Sequence, residues 1–263
     1  MSVDQIGGTA GRVADVARWA HQWQPRTGAP PRGTLAVIPG RGERGGVYRR
    51  LGERLAADGY VVRAVDGLSE AHDLDAELLS ALDGPGPVVL LGSDTGALWA
   101  LALADRLRAH GVPLAGVVAA GVPARGDGLL IEVSWAAELD ARTACPTHRG
   151  RLNDDLTLRR GEVLDPDVAA PAWAALDAAG ATTDVPVLFV HGRADLLSPV
   201  EPVAALTRRL PRARLVTVAG GRHDVLNDVQ HRSVAAQVVT FLERLRLGAD
   251  LPEIIRVEEG SSW

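Results

Sequence analysis

Short runs dense in valine and leucine alternate with helical patterns along most of this chain, and that alternation restricts the fold more than any other feature. The strand-like runs are Thr34 to Pro39, Tyr60 to Val65, Pro87 to Leu91, Leu114 to Ala120, Val185 to Val190 and Ala213 to Val218. Between them lie helical patterns. Gly46 to Asp58 carries Leu51 and Leu55 on one face and stops at Gly59; Glu70 to Leu82 keeps Leu74, Leu78 and Leu82 in register. Thr95 to His110, Glu201 to Leu210 and Val229 to Leu247 follow, the last with a stripe of Val234, Val238, Phe241, Leu242 and Leu245. Near-continuous apolar strands separated by helices predict an α/β fold, a mostly parallel, doubly wound sheet covered on both faces. At 263 residues, 46% of them hydrophobic, the chain can fill both layers as one large domain.

One stretch breaks the alternation. Pro123 to Gly180 holds Trp135 and Trp173 but no strong strand, and it is too long for an ordinary connection. The expected division is therefore a core of residues 1–122 and 181–263, with 123–180 inserted as a helical or irregular cap. Residues 1–32 are ambiguous: Val13, Val16, Ala17 and Ala20 have helical spacing, and Pro25, Pro30 and Pro31 then break the chain. The segment after Gly248 is polar.

The bulk chemistry excludes several functions. A net charge of −5 offers no electrostatic footprint for nucleic acid. No apolar run reaches the roughly 20 residues of a membrane span, and the N-terminus lacks a basic region followed by an apolar one. A single cysteine, Cys145, forms no intramolecular disulfide and fits a reducing compartment. The expectation is a soluble cytoplasmic protein acting on a small molecule, without cofactor or metal; a homodimer is compatible with the sequence.

In open parallel sheets, sites gather at the C-terminal strand ends. The polar residues found there are Arg41, Asp66, Asp94, Asp195 and His223. Asp94 stands in "VVLLGSDTGALWALALADRL", where an apolar run turns sharply through Gly92 and Gly96 into a helix. A residue at the tip of such a strand–turn–helix is exposed and aimed into a site. The plain alternative is a helix N-cap, a place aspartate favours. In "VLFVHGRADLLSP", Asp195 lies four residues after His191 and just past a strand; in "LVTVAGGRHDVLND", His223 follows the last strand. The order is nucleophile position, acid, histidine, with Asp127 the fallback acid. His191 is expected to be structural, and a metal set of His191, Asp195 and His223 has suitable ligand types. Trp135 and His148, with Arg149 beside it, are candidates for touching substrate.

These features together resemble the α/β-hydrolase family over roughly residues 33 to 247. The front loop, "IPGRGERGGVYRRL", is similar to the oxyanion loop of monoacylglycerol-lipase-like members, which read His-Gly-x-Gly-Glu-His followed by a tyrosine. Gly40, Gly42, Glu43 and Tyr48 match, while Pro39 and Arg44 replace the two histidines. By this resemblance the N–H groups of Arg41 and Thr95 form the oxyanion hole, Gly40 borders the substrate, and Asp94, Asp195 and His223 form the triad of a hydrolase acting on an ester, lactone or epoxide. The elbow departs from the lipase pattern: aspartate stands where those members carry serine. Aspartate there is the pattern of epoxide hydrolases and haloalkane dehalogenases. Thr95 replaces the dehalogenase tryptophan, and the two tyrosines, Tyr48 and Tyr60, both lie outside the cap segment. An altered hydrolase, in which Asp94 merely replaces serine, fits the same residues.

A third pattern competes. Gly40-Arg41-Gly42-Glu43-Arg44-Gly45 is G-x-G-x-x-G after a strand, and Asp66 follows 21 residues beyond Gly45. That is the dinucleotide fingerprint with its ribose-binding acid, although it leaves Asp94, Asp195 and His223 without a role.

Overall fold

The structure is a computed structural model that describes residues 21–26, 28–65, 78–126, 134–180 and 182–256. Its sheet is built from β1 (Gln22–Trp23), β2 (Gly33–Ile38), β3 (Tyr60–Ala64), β4 (Val88–Ser93), β5 (Leu114–Ala120), β6 (Val187–Gly192) and β7 (Ala213–Val218). The strand order is β1-β3-β2-β4-β5-β6-β7, with every pairing parallel except the edge pair of β1 and β3. Successive side chains of a strand point to opposite faces. In β2, Leu35 and Val37 pack with Leu51, Leu55 and Val238 on one face, while Ala36 and Ile38 pack with Leu98, Leu103 and Leu176 on the other. Both faces are apolar because both are covered, as the valine-rich runs require.

The helices are α1 (Arg49–Ala57), α2 (Thr95–Ala109), α3 (Trp135–Arg142), α4 (Pro146–Asp154), α5 (Pro166–Ala178), α6 (Val200–Arg209) and α7 (His231–Leu247). α1 and α7 lie on the Leu35 face, and α2, α5 and α6 lie on the other. α2 is apolar nearly all round, as befits a helix pressed between the sheet and α5. No helix among the described residues is long and apolar enough to cross a membrane.

Several elements differ from their sequence expectation. The helix expected from Gly46 begins instead as a 3-10 turn at Gly45–Tyr48 and becomes α-helical only at Arg49. The last helix starts at His231 rather than Val229, because Arg222 to Gln230 form a looped segment pinned by Asp228. The stretch from 134 to 180 is mostly helical, in three pieces. The helical pattern at 13–20, Asp66, Leu74 and Asp127 lie outside the described residues.

Candidate active site

β4 ends at Ser93 and α2 begins at Thr95, so one residue, Asp94, turns the chain. Its backbone sits at φ 51° and ψ −122°, a conformation L-residues rarely adopt and one that costs about 1–3 kcal/mol. Two glycines permit the tight approach. A Cβ on Gly92 would lie 2.1 Å from the Gly96 carbonyl oxygen, and one on Gly96 would lie 2.2 Å from that of Ile38. The Asp94 N–H donates to Ala120 O at 2.9 Å, fixing the turn to the neighbouring strand end. The Asp94 side chain makes no capping bond to α2. It turns instead toward the front loop and the loop after β7.

There it meets His223. The imidazole Nε2 lies 3.1 Å from Asp94 Oδ1, and Nδ1 lies 2.8 Å from Asp195 Oδ2. Asp195 is fixed from behind, since its Oδ1 accepts the N–H groups of Leu197 and Ser198 at 2.8 and 3.0 Å. All three side chains are buried. The structure thus brings residues 94, 195 and 223, from the ends of three different strands, into one hydrogen-bonded line. His191 sits within β6, with Nε2 2.8 Å from Ser198 O and 3.3 Å from Asp195 Oδ2. It braces the acid's loop.

The front loop closes the other side. Arg41 donates its backbone N–H to Asp94 Oδ2 at 2.8 Å. Its side chain folds back over the same carboxylate, with Nε on Oδ2 and Nη2 on Oδ1, both at 2.8 Å. The remaining guanidinium nitrogen reaches Asp165 O at 3.1 Å, just ahead of α5. Thr95 is buried beside the turn, and among the described residues its N–H makes no bond to the resting carboxylate. Gly40 is packed directly against the site: a Cβ there would lie 2.9 Å from the Asp94 Cβ.

Electrostatics follow from this packing. Burial pushes the Asp94 carboxyl up, but the Arg41 charge and the His223 bond outweigh it and hold the group well below the usual carboxylate range. Burial pushes His223 down, yet its two carboxylate neighbours, Asp195 foremost, raise it to about 10. At neutral pH Asp94 is a carboxylate and His223 an imidazolium.

Behind the loop lies a second buried group, of which the sequence singled out Glu43, Tyr48 and His148 but not Arg142, Glu138 or Asp224. Arg142, on α3, donates to Glu138 Oε1 at 3.0 Å, Glu43 Oε1 at 3.1 Å and Arg41 O at 2.9 Å, and lies 3.5 Å from Asp224 Oδ1. Tyr48 OH donates to Glu43, which also accepts the Gly40 N–H at 3.3 Å. Burial, then the Asp224 charge, raise Glu43 to about 7 against the pull of Arg142. His148 belongs here, with Nε2 3.0 Å from Asp224 Oδ2. Ligand atoms of Glu43, His148 and Asp224 lie within 4.8 Å of one another. The Arg142 guanidinium already supplies the cation to both carboxylates. For Arg142 itself only the four-residue spacing from Glu138 was a local signal, because its contacts with Glu43 and Asp224 span long separations. Trp135 begins α3, gives its indole N–H to Asn153 at 2.7 Å and carries Arg160 over its ring at 4.2 Å.

The glycine-rich loop spends its amides on protein carboxylates, Arg41 on Asp94 and Gly40 on Glu43. The Arg159 carbonyl oxygen stands 2.4 Å from where a Cβ on Gly42 would be, so the loop's outer side is covered as well. A pyrophosphate would have to displace both carboxylates, which counts against the dinucleotide reading.

The family described as TAP-like protein matches residues 168–251, which hold Asp195 and His223. Comparison with curated proteins gives no match. Among solved structures, the chain is similar to a soluble variant of the monoglyceride lipase of Saccharomyces cerevisiae, bound to a substrate analogue. The identity is 15%, over 86% of this chain and 91% of that one, with a TM-score of 0.68. The monoacylglycerol lipase of Paleococcus ferrophilus aligns at 17% identity over 85% of this chain and 97% of its own, with a TM-score of 0.65. An esterase from Rhodococcus sp. aligns at 23% identity over 81% and 91%, with a TM-score of 0.59.

Proposed function

We propose that this chain, whose fold is that of the α/β-hydrolases, is a hydrolase that uses Asp94 as its nucleophile on a small organic substrate, best a strained cyclic ether or a lactone attacked at its alkyl carbon. One observation carries the reading: the line Asp94 Oδ1–His223 Nε2–Asp195 Oδ2, at 3.1 and 2.8 Å, beneath the Arg41 N–H on Asp94 Oδ2.

The protonation states favour ring opening. Asp94 Oδ1 bonds to the electrophilic carbon, the carbon–oxygen bond of the ring breaks, and the departing oxygen takes the Nε2 proton of His223. Neither tyrosine supplies that proton, since Tyr48 OH serves Glu43 and Tyr60 OH serves Glu243. Forming the ester removes one of the two carboxylate charges that hold the imidazole protonated. Neutral His223 then takes a proton from water, whose oxygen attacks the carboxyl carbon of Asp94. The negative charge on Oδ2 is met by the Arg41 N–H, a contact of a kind that lowers barriers by about 3 kcal/mol. Collapse expels the product alkoxide. The new carboxyl group gives it a proton, so Asp94 and His223 end charged as they began. Asp195 orients the imidazole throughout. Residues 123–180 serve as the cap, and the described part from 134 onward packs through Arg142 and Asp165 onto the front loop.

A second reading draws on the Arg41 guanidinium, which covers both Asp94 oxygens: Asp94 replaces a lost serine and the site is silent. Bromoacetate and allyl bromide separate the two, because bromide leaves without a proton. In His223→Ala, at least one of them is expected to leave a stable adduct that peptide mass mapping places on Asp94. Absence of an adduct on Asp94 from either halide supports the silent site.

A further inference from the structure

We infer that Arg41 is a receptor for a carboxylate on the substrate, and that this carboxylate stands next to the carbon Asp94 attacks. The inference rests on Asp94 being the nucleophile. A carboxylate has about four in-plane lone-pair positions, and those of Asp94 are filled. Oδ2 accepts the N–H and Nε of Arg41, while Oδ1 accepts Nη2 of Arg41 and faces His223 Nε2. Attack on carbon needs one position vacated.

Two of the four donors, the Arg41 backbone N–H and His223 Nε2, are fixed; the guanidinium supplies the other two. The Arg41 backbone is anchored by Arg142 on its carbonyl, and His223 is anchored by Asp195. The guanidinium alone sits at the end of a rotatable chain, and its Nη1 already turns toward Asp165 O on the cap side.

That guanidinium cannot leave alone. Arg41 is 7% exposed, and a buried cation stripped of its partner is strongly unfavourable. The nearby carboxylates of Glu43 and Asp224 are engaged by Arg142. The compensating charge must therefore arrive with the substrate. The fork now holding a planar carboxylate through Nε and Nη2 is shaped to take another, two bonds for two bonds. The exchange keeps one ion pair while opening Oδ1. Because the fork lies directly against Asp94, the incoming carboxylate and the carbon under attack are separated by no more than a short spacer. An α,β-epoxy acid has that layout.

Glycidate and propylene oxide differ by a carboxylate in place of a methyl group and serve as the probes. The wild-type protein is expected to favour glycidate in kcat/KM by about tenfold to a hundredfold, the range of a hydrogen bond to a charged group. In Arg41→Met the ratio is expected to collapse to near unity. Arg41→Lys, which keeps the charge without the fork, is expected to fall between the two and stands in if the methionine variant does not fold. Binding is read without turnover by propionate, which should shift the His223 ring resonances saturably in the wild type and leave them unmoved in Arg41→Met, with propanol as the neutral control. Equal kcat/KM for the two epoxides, or His223 resonances indifferent to propionate, overturns the inference. If propionate binds but Asp94 never forms an ester, the nucleophile reading fails by itself.

Discussion

At the scale of single residues, the glycines around Asp94 made its position readable. The turn admits few sequences, and the clash distances at Gly92 and Gly96 show why. The partners on later strand ends were readable by the same logic. The Arg41 side chain was not, because its partner is 53 positions away and only packing brings them together. Arg142 escaped for the same reason, its Glu43 contact spanning 99 positions. The raised imidazole of His223 has a consequence for stability. A group held at about 10 in the folded state and at the ordinary histidine value when unfolded stabilises fully below that ordinary value. The contribution is lost as pH rises through about 10. Asp94 acts with the opposite sign: its depressed carboxyl stabilises above the ordinary carboxylate value and loses that effect as pH falls. Urea unfolding from about pH 6 to pH 11 is therefore expected to show declining stability in the wild type and a flatter profile in His223→Gln. Equal profiles would mean that the imidazole is not held protonated.

At the scale of elements, apolar periodicity found what it can find. β5 and β7 fall on their expected bounds, and α2 ends one residue early. The helices between residues 134 and 180 gave no such signal because most of their buried positions are polar or small. α3 buries Glu138 and Arg142, and α4 buries His148 beside Leu152. Glycine substitutions separate close approach from backbone freedom. Gly96→Ala, whose Cβ meets backbone at 2.2 Å, is expected to cost at least about 1–3 kcal/mol and to open the elbow. Gly111→Ala has open space but φ +84°, so the cost is about 1 kcal/mol of strain. Gly150→Ala, helical and unobstructed, is expected to stabilise by about 0.4–1 kcal/mol. Thermal unfolding of the three variants gives the ranking, and a neutral Gly96→Ala would contradict the tight elbow.

At the scale of the whole molecule, alternating strands and helices dictated the sheet and its two covered faces. The C-terminal strand edge then gathered the candidate residues. What the pattern could not convey is the buried charge network joining α3, the front loop and the loop after β7, since ion pairing leaves no periodic trace. Arg142→Met breaks that network and strands Glu43, Glu138 and Asp224 without their cation. The expected loss is about 3–5 kcal/mol, measured by urea unfolding; an unchanged midpoint would show that the network carries little stability. The same network holds the Arg41 carbonyl, so it fixes the N–H that faces Asp94. The account as a whole turns on whether Asp94 itself bonds to substrate. A single turnover in heavy-oxygen water, with enzyme in excess over glycidate or propylene oxide, reads this directly. The account predicts one heavy oxygen in the peptide containing Asp94 and none in the first product; heavy oxygen in the product, with Asp94 unlabelled, would contradict it.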